Sequence, residues 1–469
     1  MQIFVNLHHQ DKQDGSRAFP FATISQAAAL AGPGDEVVVF PGLYREWVRP
    51  ARGGQEDAAR ITYRSFLPRG AVISGAEPVT GWTLRDGAVY AASLPKDWAE
   101  APEAEPLYSR PGLCRTGRLY WNGEPLREAP SPEALLGQTN AWFCQKEEDQ
   151  AVLLVRLDGR DPNGEQMDLS VRPACFTQAA GQEGFLTLSG FRMEKTAPAH
   201  LLDAAVSLNE GSVLEDCEVR DSLGSGVALT GNEVSPVQVL SCEIRRCAKA
   251  GILSRTPGVS CAIKNTAVHH AGLSEGPDAG GIVLSGASHA LISGCHLHHC
   301  AAGFSVRDSG EVRIYANACH HNGEDLRAEA DRSLIDHNLF LSPGGISVDS
   351  LGGCLCRNLA DGSCRISRPL ENKDNLFTKE TDVPSGNLTP ASFPDPSRLS
   401  VRVLGGEGRW VLSTNLYSLL EGLPAAPVKA TSPDLPPADY FGVREEGNLP
   451  GPFTDGTPGA WILGPRNLP

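Results

Sequence analysis

From Ser212 to Gly362 the apolar positions follow one repeating phrase: an alternating run, a Cys, Thr or Asn, a second short run, then a Gly-rich corner. It reads SVLEDCEVRDS around Cys217, VQVLSCEIRRC around Cys242, CAIKNTAVHHA around Thr266 and HALISGCHLHHC around Cys295. It continues as VRIYANACHHN around Asn317, SLIDHNLFLS around Asn338 and CLCRNLADG around Asn358. Successive anchors lie 25, 24, 29, 22, 21 and 20 residues apart. That period is too short for a helix-pair repeat and fits one coil of a parallel β-solenoid. Stacked coils place equivalent residues about 4.8 Å apart, so an active site is sought by counting coils.

Upstream, FPFATISQAAALA (19–31) has helical periodicity with Thr23 or Ser25 as N-cap, and a helix there would cover the open end of the solenoid. VVVF, YREWV, ITYRSF and AVISGAEPV are strands of the first coils, which with the cap occupy residues 1–80. Between Gly81 and Val171 the repeat gives way to strands joined by Asp-Gly, Asn-Gly and acidic turns, which predicts an inserted antiparallel β-sandwich. The main β-helix then spans residues 172–366. Residues 367–469 begin with a polar, Pro-rich stretch, include WVLSTNLYSL as one more strand pair, and end in a Pro/Gly-rich tail expected to lie against the solenoid. The fold class expected is all-β: a right-handed parallel β-helix with an inserted sandwich and an N-terminal capping helix.

The balance of 41 basic against 56 acidic residues, a net charge of −15, argues against a nucleic-acid partner and makes polyanions poor ligands. Neutral sugars remain open. No apolar run approaches a membrane span, and MQIFVNLHHQDKQDGS has no secretory pattern, so a cytoplasmic location is expected. Thirteen Cys are then read as free thiols, with Cys217, Cys242 and Cys295 acting as small inward apolar residues. A homo-oligomer is compatible with this composition.

Three readings of the chemistry follow from the residues. Asp308 and Glu329 lie 21 residues apart, one coil by the local period, which places their backbones at neighbouring strand positions. A retaining glycosidase needs its carboxyl pair about 5–5.5 Å apart. Asp278 lies two coils from Glu329, about 10 Å away. The pairs His269–His270, His298–His299 and His320–His321 recur at one phase of three coils. Because adjacent strand residues face opposite ways, they read as an outward ladder, and neither a metal nor any other cofactor is expected. His299 and His321 are the members assigned to hydrogen-bonding a sugar. Trp47, Tyr120, Trp121 and Trp142 could stack on a sugar ring but read first as sandwich or coil core, and Asn317, Asn338 and Asn358 read as an internal hydrogen-bonded ladder.

The opening FPFATISQAAALAGPGDEVVVFPGLYREWVRPARGG, together with LYWNGEPL, FLTLSGFRM, DAGGIVLS, CAAGFSVRDS, EDLRAEAD and SLIDHNLF, resembles the glycoside hydrolase family 120 β-xylosidases over residues 19–345. The resemblance implies retaining, exo-acting cleavage of β-xylosides or related short oligosaccharides, with the sandwich walling one end of the groove. It implies Glu329 as general acid/base and Asp278 as a further acidic site residue holding sugar hydroxyls. The family's nucleophilic Asp aligns in strict register with Arg307, one residue before Asp308. A one-residue shift on a strand turns a side chain to the other face, so Asp308 points at the groove if it begins the corner after the strand or if the shorter loop before Glu311 moves the gap. Arg307 in turn would meet the substrate or neutralise the site, the latter giving a sugar-binding solenoid without catalysis. A polysaccharide lyase, the other alternative, would need a Lys or Arg base and usually Ca²⁺; the central coils show no Lys cluster.

Overall fold

A computed structural model of the protein describes residues 1–9, 11–95, 117–147, 150–198, 203–274, 276, 278–368, 370–373, 375–378, 387, 401–406, 409–414 and 459–463. The chain is a right-handed parallel β-helix with three faces. The first face runs through Ala204–Leu208, Ser225–Leu229, Ala250–Ser254 and Gly280–Ser285. The second runs through Val213–Glu215, Val237–Leu240, Ser260–Lys264 and His289–Ser293. Beyond these, the long strands Ala302–Tyr315, Glu324–Asp336 and Ile346–Cys356 supply both faces at once. The third face runs from Gly42–Tyr44 through Arg192–Thr196, Glu218–Ser222, Glu243–Cys247 and Ala267–Ala271 to Leu376–Phe377.

Parallel register stacks like on like. Val227, Ile252, Ile282, Phe304, Leu326 and Ile346 are successive partners on the first face. All are essentially buried, each contributing about 1.5–3 kcal/mol by leaving water. The anchors turn inward at the corner between the second and third faces, and the residue before each has positive φ: Asp216, Ser241, Asn265, Gly294, Ala316, His337 and Arg357. That kink points the anchor at the axis, where the backbone would otherwise leave donors unmet. The later anchors form the expected ladder: Asn317 Nδ2 donates to Asn338 (2.9 Å), Asn338 to Asn358 (3.0 Å) and Asn358 to Asn375 (2.9 Å). The coils thus continue past Ile366, with Asn375 and then Asn387 extending the ladder. The N-terminus also exceeds the sequence reading, because Gln2–Val5 is a strand paired with Glu36–Val39.

The cap is helix Ile24–Leu30, where Thr23 accepts from the Gln26 backbone and Gln26 reaches back to the Thr23 N–H. Residues 76–95 and 117–170 build two sheets that share a core including Trp82, Trp142, Leu153 and Leu169, the inserted sandwich. Tyr120 and Trp142 are buried, as read from the sequence, whereas Trp47 and Trp121 are partly exposed. The sandwich is fixed to the third face by Asp168, which meets both Arg45 and Lys195 at 2.9 Å, and by Glu124, which meets Arg246 at 2.8 Å. Val401–Gly406, Arg409–Thr414 and Gly459–Leu463 form a small antiparallel sheet. The remainder of the tail lies outside the described residues. The twelve described cysteines are free thiols, and burial pushes those of Cys217 and Cys295 up to about 12. Among the described residues no helix is long and apolar enough to cross a membrane.

Candidate active site

The strand Ala302–Tyr315 carries one residue more than the next coil between its two halves. Val306 pairs with Ala328 and Ser309 with Ala330, so Arg307 and Asp308 together face Glu329. This is a β-bulge. Its extra residue, Asp308, has φ +48°, a conformation that Asp adopts more readily than most residues. Phe304 and Val306 point into the core, and Arg307 is partly and Asp308 largely exposed. The kink cancels the alternation that would otherwise turn Asp308 inward.

Asp308 consequently lines a cavity of about 410 Å³ with Glu329, Asp331, Asp349 and Arg368. Glu329 and Asp349 are direct strand partners, so the acids come from three successive coils. Gly286 lies one coil before Asp308 and forms part of the same wall. Its φ of +75° suits a residue without Cβ. Arg368, the one basic lining residue, is tied to Asp349 at 2.8 Å. Asp308 and Glu329 have no ion-pair or hydrogen-bond partner among the described residues. The cavity is therefore strongly acidic and offers three uncommitted carboxylates, Asp308 on one coil and Glu329 and Asp331 on the next.

Asp278 behaves differently from its expected role. It is buried in the turn before Gly280–Ser285, and its Oδ1 accepts from Arg307 Nη2 at 2.6 Å. It does not line the acidic cavity. The pairing engages the Arg307 guanidinium with Asp278, so Arg307 does not neutralise Asp308 or Glu329. Two positions earlier on the same face of these strands, Ser305 and Arg327 border a second hollow of about 330 Å³, in which Arg327 pairs with Glu324 at 2.7 Å. The described part of the sandwich contributes no lining residue to either hollow.

His299 and His321 line neither hollow. They stand on the corner after the third face, stacked on each other with ring centroids 5.1 Å apart, whereas the acidic cavity opens between the first and second faces. The reading of each histidine pair as two opposed side chains also needs correction. His270, His299 and His321 have φ of +53°, +54° and +54°, and this bends the second ring of each pair back toward the first. The Nδ1 atoms meet at 2.9 Å in His269–His270 and His298–His299, and at 2.7 Å in His320–His321. His296, which sequence reasoning passed over, joins them through its Nε2, 2.7 Å from His320 Nε2. Burial pushes the imidazoles of His296 and His320 down to about 3 and about 2.

Comparison with known proteins agrees on architecture. Residues 204–359 match the family model for a right-handed β-helix region. No curated protein matches the chain. A solved structure described as "The complex structure of XylC with xylose" is 19% identical, with a TM-score of 0.77, covering 99% of this chain and 100% of that one. A structure described as a glycoside hydrolase is 14% identical (TM-score 0.49; 83% of this chain, 96% of that one). Pectate lyase Pel9A is 11% identical (TM-score 0.46; 97% and 96%). At 19% identity the likeness to the first of these speaks to the fold, and with the family model it makes the chain a right-handed parallel β-helix carrying an inserted sandwich.

Proposed function

We propose that the protein is a retaining, exo-acting glycosidase that cleaves short β-xylosides or closely related oligosaccharides in the acidic cavity. The observation that carries this reading is the convergence of Asp308 and Glu329, one coil apart, on one cavity where neither is held by a counter-ion. Neighbouring strands lie about 4.8 Å apart, which suits the spacing of about 5–5.5 Å that a nucleophile and an acid/base require. The full-length likeness to a protein solved with xylose adds support for the sugar.

In this mechanism the Asp308 carboxylate attacks the anomeric carbon while Glu329 delivers its proton to the departing oxygen. The bond from sugar to aglycone breaks and a glycosyl ester to Asp308 forms. Glu329, now a carboxylate, takes a proton from water as the water oxygen displaces Asp308, so the configuration is inverted twice and retained. Asp349 and Asp331 add negative charge around a transition state that becomes positive at the sugar ring. The same charge opposes a uronate, and the single lining cation is engaged by Asp349, which weighs against elimination. Asp278 acts as a positioning residue through Arg307.

The test is hydrolysis of aryl β-xyloside, β-glucoside and α-arabinofuranoside beside polyuronates, with the anomeric form of the first product followed by NMR. Release of the aryl group with retained configuration, lowered about 10²–10⁴-fold in Glu329→Gln, is expected. Release of the inverted sugar, activity undiminished in Glu329→Gln, or elimination from polyuronate without glycoside hydrolysis would overturn it.

A further inference from the structure

The histidine array on the third face has a chemistry that the proposed hydrolysis does not use. We propose that His269, His270 and His298 form a site for a borderline divalent cation, Ni²⁺, Cu²⁺ or Zn²⁺, that clamps two successive coils together. One ring nitrogen from each of the three lies within 4.8 Å of the other two. His269 and His270 come from the end of Ala267–Ala271, and His298 is the strand partner of His269 on the next coil. The His269 and His298 rings stack at 4.6 Å, nearly parallel at 7°. His270 is exposed, His269 partly exposed and His298 buried, so the site has an open side and a fixed floor.

Three features of the geometry favour a metal over a simple stack. First, the positive φ of His270 is what brings two adjacent imidazoles to the same side, giving a two-toothed Nδ1 edge where an ordinary strand offers a single ring. Second, that edge measures 2.9 Å. Metal–nitrogen bonds of about 2.0–2.1 Å give an edge of about 3.3 Å in a tetrahedron and about 2.9 Å in a square plane or octahedron. For this pair of donors the spacing matches the tetragonal ions, Cu²⁺ and Ni²⁺, and the rings turn and His298 closes in from within 4.8 Å as the ion is bound. Third, His269 Nε2 is 3.5 Å from Glu243 Oε1. A ligating histidine typically donates its other N–H to a carboxylate, which fixes the tautomer and leaves the lone pair for the ion.

The proton count closes on these terms. With His269 protonated at Nε2, its Nδ1 accepts from His270 Nδ1–H. When the cation enters, that proton moves to His270 Nε2, both Nδ1 lone pairs turn to the metal, and no net proton is released. The nearest cations one coil earlier are already matched: Arg245 bonds Glu218 at 2.8 Å, and Arg246 bonds Glu124 and Asp221 at 2.8 Å each.

The experiment is calorimetric titration of NiCl₂, CuCl₂ and ZnCl₂ into full-length protein stripped with EDTA and freed of any affinity tag, with melting curves run in parallel. Saturable binding near one ion per chain and a rise in melting temperature are expected. His270→Asn, which keeps a residue tolerant of positive φ, should weaken binding at least about tenfold, and Glu243→Gln should weaken it about 10–100-fold. His321→Asn, one coil beyond the site, should leave it unchanged. Each variant without metal must melt as the parent does; if His270→Asn does not, His298→Gln carries the test. Absence of binding by all three ions, binding that survives both His270→Asn and His298→Gln, or binding lost only in His321→Asn would overturn the proposal.

Discussion

Two corners of this solenoid use the same backbone device for different ends. At the end of the third face, an outward strand residue is followed by one with positive φ in coil after coil: Glu194–Lys195, Arg220–Asp221, Arg245–Arg246, then the three histidine pairs. On the first face, among the described coils, that arrangement occurs once with side chains on both residues, at Arg307–Asp308, and there it costs a register shift. The repeated version yields a continuous ladder of paired charges and stacked rings. The single version marks the step at which the corner shortens by one residue toward the next coil, and that is where the uncommitted carboxylates gather.

The largest expected effect is on the acids. Glu329→Gln and Asp308→Asn should each lower kcat on an aryl xyloside by about 10²–10⁴-fold while leaving the melting curve unchanged, since both side chains are exposed. Deleting Asp308 should be as damaging to activity. It would restore plain pairing of the strand with Glu324–Asp336 but move the mismatch to the preceding coil, where Ser285–His289 and Arg307–Glu311 are equally spaced, so a lower melting temperature is expected beside the lost cavity. Retained activity in the deletion would break the contrast between the two corners.

A smaller effect is expected at Asp278. Asp278→Ala would release Arg307 toward Asp308 and Glu329, lowering kcat about tenfold, the size of a ~1.4 kcal/mol interaction, and adding Arg307→Gln should recover much of it. If the double variant is no better than the single, Asp278 is not acting through Arg307.

The histidine corner should respond in stability. Burial depresses His296 and His320 below the ordinary value of 6.5, to about 3 and about 2, so the unfolded chain binds more protons than the fold between those limits. Their contribution is present above pH ~6.5 and is lost as pH falls, by up to about 1.4 kcal/mol per pH unit for each ring. Urea midpoints at pH 7 and pH 5 should show the decline, and His296→Gln/His320→Gln should reduce it, the part that remains coming from His270, His298 and His299, which burial also holds down.

Much of this was legible in the sequence because a solenoid turns spacing into proximity: the 21 residues from Asp308 to Glu329 are one turn. The Asn anchors were legible for the same reason. What escaped was local backbone conformation. Positive φ at Asp308, His270, His299 and His321 has no glycine to announce it, although Asp, Asn and His are the residue types enriched there. A chain-end pair such as HH or RD after an alternating run was the available signal. The Asp278–Arg307 pair was hidden because Asp278 sits in the turn of the longest coil, where counting residues does not fix position. His296 faces outward two residues before the His298–His299 pair, and only its contact with His320 on the next coil shows that it belongs to the array.

The most direct measurement is to trap the glycosyl ester. A 2-deoxy-2-fluoroxylosyl donor with a good leaving group should add one fluoroxylosyl mass per chain, and peptide mapping should place it on Asp308. A label on Asp349 or Asp331, or turnover of xylosides with no ester detectable on Asp308, would contradict the account.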